Sequence, residues 1–478
     1  MRLSLLALAL GGALVLAVPG AAARDHNPTP VGTLVLPELG VADVHLEPGY
    51  WAAQLADPAA ELVPRSGIEA QNARLFEQDP SMHRLDRLPA ALPGEQVRGL
   101  VERLAAFPPD IERWDVEGNP VPASTFDALR GELALDALAG QVPLRFGLVV
   151  HRADLRALPT AERMFSRPGD TDIDRLQESA LFPGTPVAVA HASAGGDWLF
   201  VISPRYAAWI RADAVATGTR EDVLAYAAAT PYRIITGGVE HTVFTREEPR
   251  VSKLQLDMGL KLPLEQDLPP GPVNGQHPYT AHVLRMPVRG PDGSLSFAPA
   301  LLPKRADSSP DYLPLTAGNI IDQGFRFLGE RYGWGHAYGT RDCSGFVSEV
   351  YRSMGLQLPR NTSAQAVSPA LEHWRFGEEH DRAARLAAVA ELQVGDLVYI
   401  PGHVLMVIGH VDGEPWVIHD IHGGSHVDAS GNAHTLMLNG VSVTPLALRI
   451  GPDRDYLDRM TSIVRPAGAL PARPAAGH

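Results

Sequence analysis

A single cysteine, Cys343, in a chain of 478 residues leaves no disulfide to hold any part of the fold, so every domain must rest on its own buried apolar surface. The length exceeds one ordinary core and predicts roughly three or four domains. Around the cysteine, Phe346, Val347, Val350, Tyr351 and Met354 recur at helical spacing and Gly355 supplies a stop. This predicts an amphipathic helix with Cys343 at or beside its N-terminus. Free N–H groups and the positive end of the helix dipole favour an anion there, and hence a thiolate. A lone cysteine is more often a buried structural thiol, so the residues downstream have to decide.

Charge and the first residues narrow the setting. Lys plus Arg number 41 against 55 for Asp plus Glu, a net charge of -14, which argues against nucleic acid or an anionic membrane as partner. Residues 1–23 read as a secretory signal: Arg2 is the positive segment, Leu3 to Val18 the apolar run, and Ala21-Ala22-Ala23 the small-residue cleavage site. The mature protein is expected in the periplasm or secreted. No cysteine follows the apolar run, as lipid attachment would need, and no later apolar segment is long enough to cross a bilayer. No membrane anchor is therefore expected after cleavage.

Residues 38–140 carry helical periodicity, as in Val97, Leu100, Val101 and Leu104, and predict a small helical unit in which Asn72 and Arg74 read as surface or capping residues. From residue 141 to 216 the pattern changes to short strands, including Phe146 to Val150, Val187 to Ala190, Trp198 to Val201 and Ala208 to Ile210, with a turn at Gly195-Gly196-Asp197. That spacing predicts a small β-barrel. Residues 217–305 again hold short strands and prolines and are expected to form a second, less regular barrel. Residues 306–311 read as a linker. Over 312–466, helices come first and strands after, which predicts an α+β domain on an antiparallel sheet. Residues 467–478 are Ala, Pro and Gly and predict a disordered tail. The whole is a multidomain α+β protein.

A thiol that attacks an amide needs a base, a group to orient the base, and donors for the oxyanion. His403 opens an apolar strand after Pro401-Gly402, and His419 closes the next. Antiparallel pairing through the Gly409-to-Glu414 turn would bring the two rings to one face.

The set Tyr332-Gly333-Trp334-Gly335, Asp342-Cys343-Ser344-Gly345-Phe346, Leu358-Pro359-Arg360 through Gln365, Gly395-Asp396-Leu397, Gly402-His403-Val404 and Ile418-His419 resembles the NlpC-type cell-wall cysteine peptidases. Residues 38–140 and 142–216 are similar to the N-terminal stabilising domain and bacterial SH3 domain found with them. The resemblance implies Cys343 as nucleophile, His403 as general base, His419 as the orienting residue with His422 and His426 as rivals, and Tyr332 at the oxyanion site, while Trp334 packs beneath. It implies peptidoglycan stem peptides as substrate, cut at the γ-D-glutamyl to diamino-acid bond behind a free N-terminal L-Ala. Asp342, Ser344, Thr362 and Ser363 would then line the groove, and Tyr206 with Asp174 or Glu178 would close one end. No cofactor is expected. His419, Asp420, His422 and His426 could suggest a metal, but Gly423-Gly424 makes a loop without fixed ligand spacing, so none is expected. Two other readings share the residues: a non-catalytic wall-binding protein, and an amidase or acyltransferase that uses the same cysteine.

Overall fold

A computed structural model describes residues 32–106, 111–428, 430–451 and 454–471. The signal-like segment 1–23 and residues 472–478 of the expected tail lie outside them. Inside, Ala467 and Leu470 pack against the core of the C-terminal domain, so the ordered chain runs past the expected boundary at 466. Among the described residues no helix is long and apolar enough to cross a membrane.

The N-terminal region includes a short strand, β1 (Glu61–Val63), and the helices α1 (Arg65–Gln78), α2 (Gly94–Leu104) and α3 (Ala123–Glu132). Periodicity finds the apolar face of a helix but does not say which core that face joins. Here the helical region is divided between two cores. Leu39, Val41, Trp51 and Ile68 belong to the C-terminal domain, whereas Leu92, Val97, Val101, Leu129 and Leu133 belong to the barrel that follows. Asn72, read from the sequence as a surface or capping residue, reaches across. Its Nδ2 donates to the Gly355 carbonyl at 2.8 Å and its Oδ1 accepts from Gln357 N at 2.9 Å. Arg65 beside it donates to the carbonyls of Met354, Tyr312 and Leu313.

The barrel is one seven-stranded sheet of β2 (Arg145–Val149), β3 (Ala153–Arg156), β4 (Gln177–Leu181), β5 (Pro186–Ala192), β6 (Trp198–Ile202), β7 (Ala207–Arg211) and β8 (Val215–Gly218). Its order is β8-β2-β5-β6-β7-β3-β4. Alternating side chains fill two apolar layers, one around Phe200 and Trp209, the other around Val201 and Ile210. The barrel keeps residues 215–218, which pair along β2, and α4 (Arg220–Ala228) adds Val223 and Tyr226 to its core. The next unit therefore begins near Tyr232, later than the expected 217. It is made of small sheets, chiefly β9 (Tyr232–Ile235) between β10 (Lys261–Pro263) and Ser308–Ser309, and the hairpin of β11 (Ala281–Arg289) and β12 (Leu295–Pro303). Ile235, Leu262, Leu284, Met286 and Leu302 form its core.

In the C-terminal domain, α5 (Ala317–Phe325) and α6 (Cys343–Ser353) pack on an antiparallel sheet. Its strands are β13 (Glu372–Arg375), β14 (Leu397–Ile400), β15 (His403–Val411), β16 (Glu414–Ile421), β17 (Gly440–Pro445) and β18 (Ser462–Arg465). The order is β13-β18-β14-β15-β16-β17. Phe346, Val347 and Val350 of α6 are wholly buried, as are Val404, Met406 and Ile418 of the sheet. The N-terminal segment completes this core from outside. Trp51 sits 5.8 Å from the Trp416 ring, and Gly409 leaves the room for it, since an added Cβ would lie 2.7 Å from the Trp51 ring.

Three units meet at one buried ion cluster. Arg341, wholly buried, bonds Glu349 at 3.0 Å, Asp257 of the second β unit at 3.3 Å, and Glu330. Arg152 of the barrel lies 3.5 Å from the same Asp257. Arg341→Ala would take the shared guanidinium from three carboxylates, two of them fully buried. It is expected to destabilise by about 3–5 kcal/mol, seen as an earlier urea midpoint; an unchanged midpoint would show the cluster to be dispensable.

Candidate active site

Asp342 caps α6: its Oδ1 accepts from Gly345 N at 2.8 Å, which fixes Cys343 as the first helical residue. The same carboxylate takes Gly335 N at 3.1 Å, Ser344 Oγ at 3.0 Å and both terminal nitrogens of Arg360 at 3.2 and 2.8 Å. Burial opposes this charge, yet Arg360 and its neighbours hold the Asp342 carboxyl down to about 2. Arg360 continues to Ser344 Oγ at 2.8 Å, His336 Nδ1 at 2.8 Å and Ser179 Oγ of β4 at 2.6 Å. Asp342 and Ser344 are thus engaged inside the protein. The expectation that they face the groove as free acceptors gives way to a role in setting the cysteine, because a guanidinium already fills the carboxylate.

The Cys343 sulfur receives a hydrogen bond from the backbone of Val404, which puts it at the start of β15 beside His403. His403 Nε2 lies 2.8 Å from His419 Nδ1, and His419 Nε2 lies 3.2 Å from Thr444 Oγ1 on β17. His419 and Thr444 are both wholly buried. The two histidines meet as the antiparallel hairpin predicted. Of the two proton orders open to this chain, one has His419 donating to Thr444 and His403 donating to His419. That order leaves His403 Nδ1 as a lone pair able to take a thiol proton; the reverse order leaves it protonated. Thr444 is the residue that sequence reasoning missed, since a threonine in a strand is ordinary. The rivals lie elsewhere: the His422 ring packs edge-on to Tyr332 at 5.8 Å, and His426 stacks on His434 at 5.3 Å. Among the described residues no group of His, Cys, Asp and Glu is arranged to hold a metal.

Electrostatics correct the expected thiolate. Burial, then the charges of Asp342 and Asp420, push the Cys343 thiol well above its ordinary range, and the Val404 hydrogen bond and Arg360 only partly oppose them. Burial, with Arg459, lowers His403 to about 4. Burial disfavours the charged form of both the thiol and the imidazole and so opposes the helix dipole. Tyr332 is buried, and burial together with nearby Cys343 and Asp342 raises its phenol well above the usual value, so it stays an O–H donor.

Tyr206 donates to Glu178, whose carboxyl burial raises. Asp174 is not at the groove: it is buried, 2.5 Å from Arg156, and caps Met164 N and Leu176 N. Its charge is consumed in holding the loop before β4. Thr362 and Ser363 begin the short helix α7 (Thr362–Gln365), half-buried and exposed respectively. Trp334 hydrogen-bonds the Gln177 carbonyl at 3.1 Å, so it seals the barrel contact. Gly335, at φ 58°, passes so close to β4 that a Cβ would meet Gln177 Cγ at 2.9 Å.

A cysteine at a helix start, bonded to the strand that opens with one member of a hydrogen-bonded His–His pair, is the arrangement of papain-like thiol hydrolases. Family models place the chain more closely. Residues 329–440 match the NlpC/P60 family, and residues 163–211 match an SH3 domain of the SH3b1 type, so the chain carries an NlpC/P60 cysteine peptidase domain behind a bacterial SH3 domain. Among solved structures it is similar to an NlpC/P60 endopeptidase from Photobacterium damselae subsp. piscicida, at 16% identity and a TM-score of 0.69, over 86% of this chain and 95% of that one. It is also similar to an NlpC/P60 family protein from Bacillus cereus, at 20% identity and a TM-score of 0.44, over 68% of this chain and all of that one. A peptidoglycan hydrolase from Mycobacterium tuberculosis matches at 20% identity and a TM-score of 0.21, over 32% of this chain and 65% of that one. No curated protein sequence matches the chain significantly.

Two outcomes test this geometry. Cys343 should react with iodoacetamide more slowly than glutathione at pH 7, its rate still climbing above pH 8; a plateau between pH 5 and 8 would mean a preformed ion pair. Thr444→Val should lower kcat roughly five- to tenfold, the equivalent of one hydrogen bond of about 1–1.5 kcal/mol, and shift the acid limb of the pH profile away from about 4, whereas His403→Ala should abolish turnover. A wild-type profile for the Thr444 variant would remove threonine from the relay.

Proposed function

We propose that this protein is an exported cysteine endopeptidase that hydrolyses peptidoglycan stem peptides at the γ-D-glutamyl to diamino-acid bond, acting on peptides with a free N-terminal L-Ala. The observation that carries the reading is the His403–His419 hydrogen bond beside the strand whose Val404 reaches Cys343; in this reading the barrel forms one end of the cleft. The match of residues 329–440 to the NlpC/P60 family supports the same polymer. The signal-like first 23 residues suit a substrate outside the cytoplasm.

In the proposed reaction His403 Nδ1 takes the Cys343 proton as sulfur attacks the γ-carbonyl carbon. The oxyanion is met by the Cys343 backbone N–H and the Tyr332 hydroxyl. Collapse breaks the C–N bond, and the leaving amine takes the proton from His403. Water, deprotonated by the same imidazole, then hydrolyses the thioester and restores the thiol. Burial that disfavours both charged forms suits this order, since the proton moves only as the bond forms. With Asp342 occupied by Arg360, recognition of the peptide ammonium falls to Glu178, held by Tyr206. The barrel then acts as a wall that leaves no room for a glycan on that side.

The test is to incubate the purified protein and Cys343→Ala with L-Ala-γ-D-Glu-meso-diaminopimelate and to follow products by mass spectrometry. Free diaminopimelate from the wild type alone is expected, with the N-acetylmuramyl form of the peptide cut far more slowly. Equal cleavage of both forms would remove the wall from the account. Inactivity on peptide and sacculi alike would favour a wall-binding role, and transfer to an added amine would favour acyl transfer.

A further inference from the structure

Away from the catalytic line, the barrel, the second β unit and the peptidase domain enclose a cavity of about 280 Å³. Its charged lining is Arg205, Lys261, Arg352 and Arg360 against a single carboxylate, Glu349. Three of the four cations have partners. Arg360 is paired with Asp342 at 2.8 Å. Arg352 donates to the Met258 carbonyl and lies 3.7 Å from Glu349, a carboxylate it shares with Arg341 and His336. Lys261 donates to the Ala227 carbonyl at 3.1 Å and lies over the Tyr232 ring. Arg205, in the turn between β6 and β7, has no hydrogen bond or ion pair among the described residues, and its Nε is buried without a partner. Burial and the charges of Arg352 and Arg360 depress the Arg205 guanidinium to about 9, which is what an uncompensated cation beside two others should show.

We propose that this cavity binds a small monocarboxylate with an apolar body, its carboxylate on Arg205 and its body against Leu181, Phe182 and Leu260. The chemistry follows from the lining. One unpaired guanidinium presents a planar fork that matches one carboxylate in two parallel hydrogen bonds. A dianion would require a second free cation inside, and the remaining three are spoken for. Leu181, Phe182 and Leu260 supply the apolar wall, and the volume falls at the lower edge of pockets that hold small molecules. Arg205 comes from the barrel, Leu260 from the second β unit and Arg360 from the peptidase domain, so the ligand would bridge all three. It would bind the assembled arrangement and not the separated parts, and therefore raise the unfolding temperature by mass action. The cavity meets the wall proposed for the peptide at Tyr206, which lines it, and its test does not depend on turnover.

The experiment is thermal unfolding of the full chain at constant ionic strength with benzoate, acetate, inorganic phosphate or chloride, followed by calorimetric titration of benzoate. Benzoate is expected to raise the midpoint saturably, acetate less, and phosphate no more than chloride. Arg205→Gln should abolish the benzoate shift while unfolding no earlier than wild type without ligand, because it removes an unpaired charge. Arg205→Lys, which keeps the charge but loses the fork, should weaken benzoate about tenfold. Should the glutamine variant fail to fold, the lysine variant and the half-buried Lys261→Gln, expected to bind benzoate more weakly than wild type, carry the test. Absence of a benzoate shift, an equal shift with phosphate, or wild-type affinity in Arg205→Lys would overturn the proposal.

Discussion

The pairing of Asp342 with Arg360 organises the chain more than any other contact. One carboxylate starts the helix that begins with Cys343, ties the loop at Gly335 and anchors a guanidinium that in turn grips Ser179 of the barrel. A buried pair of this kind is weak evidence for stability, since desolvation offsets much of its attraction. Its value lies in geometry. The nucleophile, the tight loop in front of it and the neighbouring domain are positioned by the same two side chains, so none can shift without the others.

Much of this was legible in the sequence where a period or a spacing carried it. The α6 face, the pairing of β15 with β16 and the meeting of His403 with His419 all follow from apolar spacing and one short turn. What was not legible depended on partners far away in the chain. Asp342 could not be known as a filled acceptor without Arg360, nor Asp174 as a loop-holding residue without Arg156. Thr444 gives no signal, because a buried hydroxyl in a strand has many uses. The thiol is the clearest case: local reasoning weighs the helix start, whereas burial, then Asp342 beside it and Asp420 from the sheet, push its protonation the other way.

The helical N-terminal stretch shows the same limit at a larger scale. Its elements form as their periodicity indicates, but they serve as cladding for two neighbours. Trp51 covers the back of the peptidase sheet and Val97 and Val101 fill the barrel. Short amphipathic helices gain most of their stability from whatever they pack against.

The way the N-terminal segment finishes the C-terminal core bears on inheritance. Residues 61–63 pair with 315–316, and the Trp51 ring occupies the space at Gly409. A gene fragment encoding only the last third of the chain would encode an open-sided sheet with a missing wall. Exchange of parts between relatives is then restricted: the catalytic domain and the opening segment must travel together or change in step, and the barrel and second β unit between them form an insert within a single folding unit.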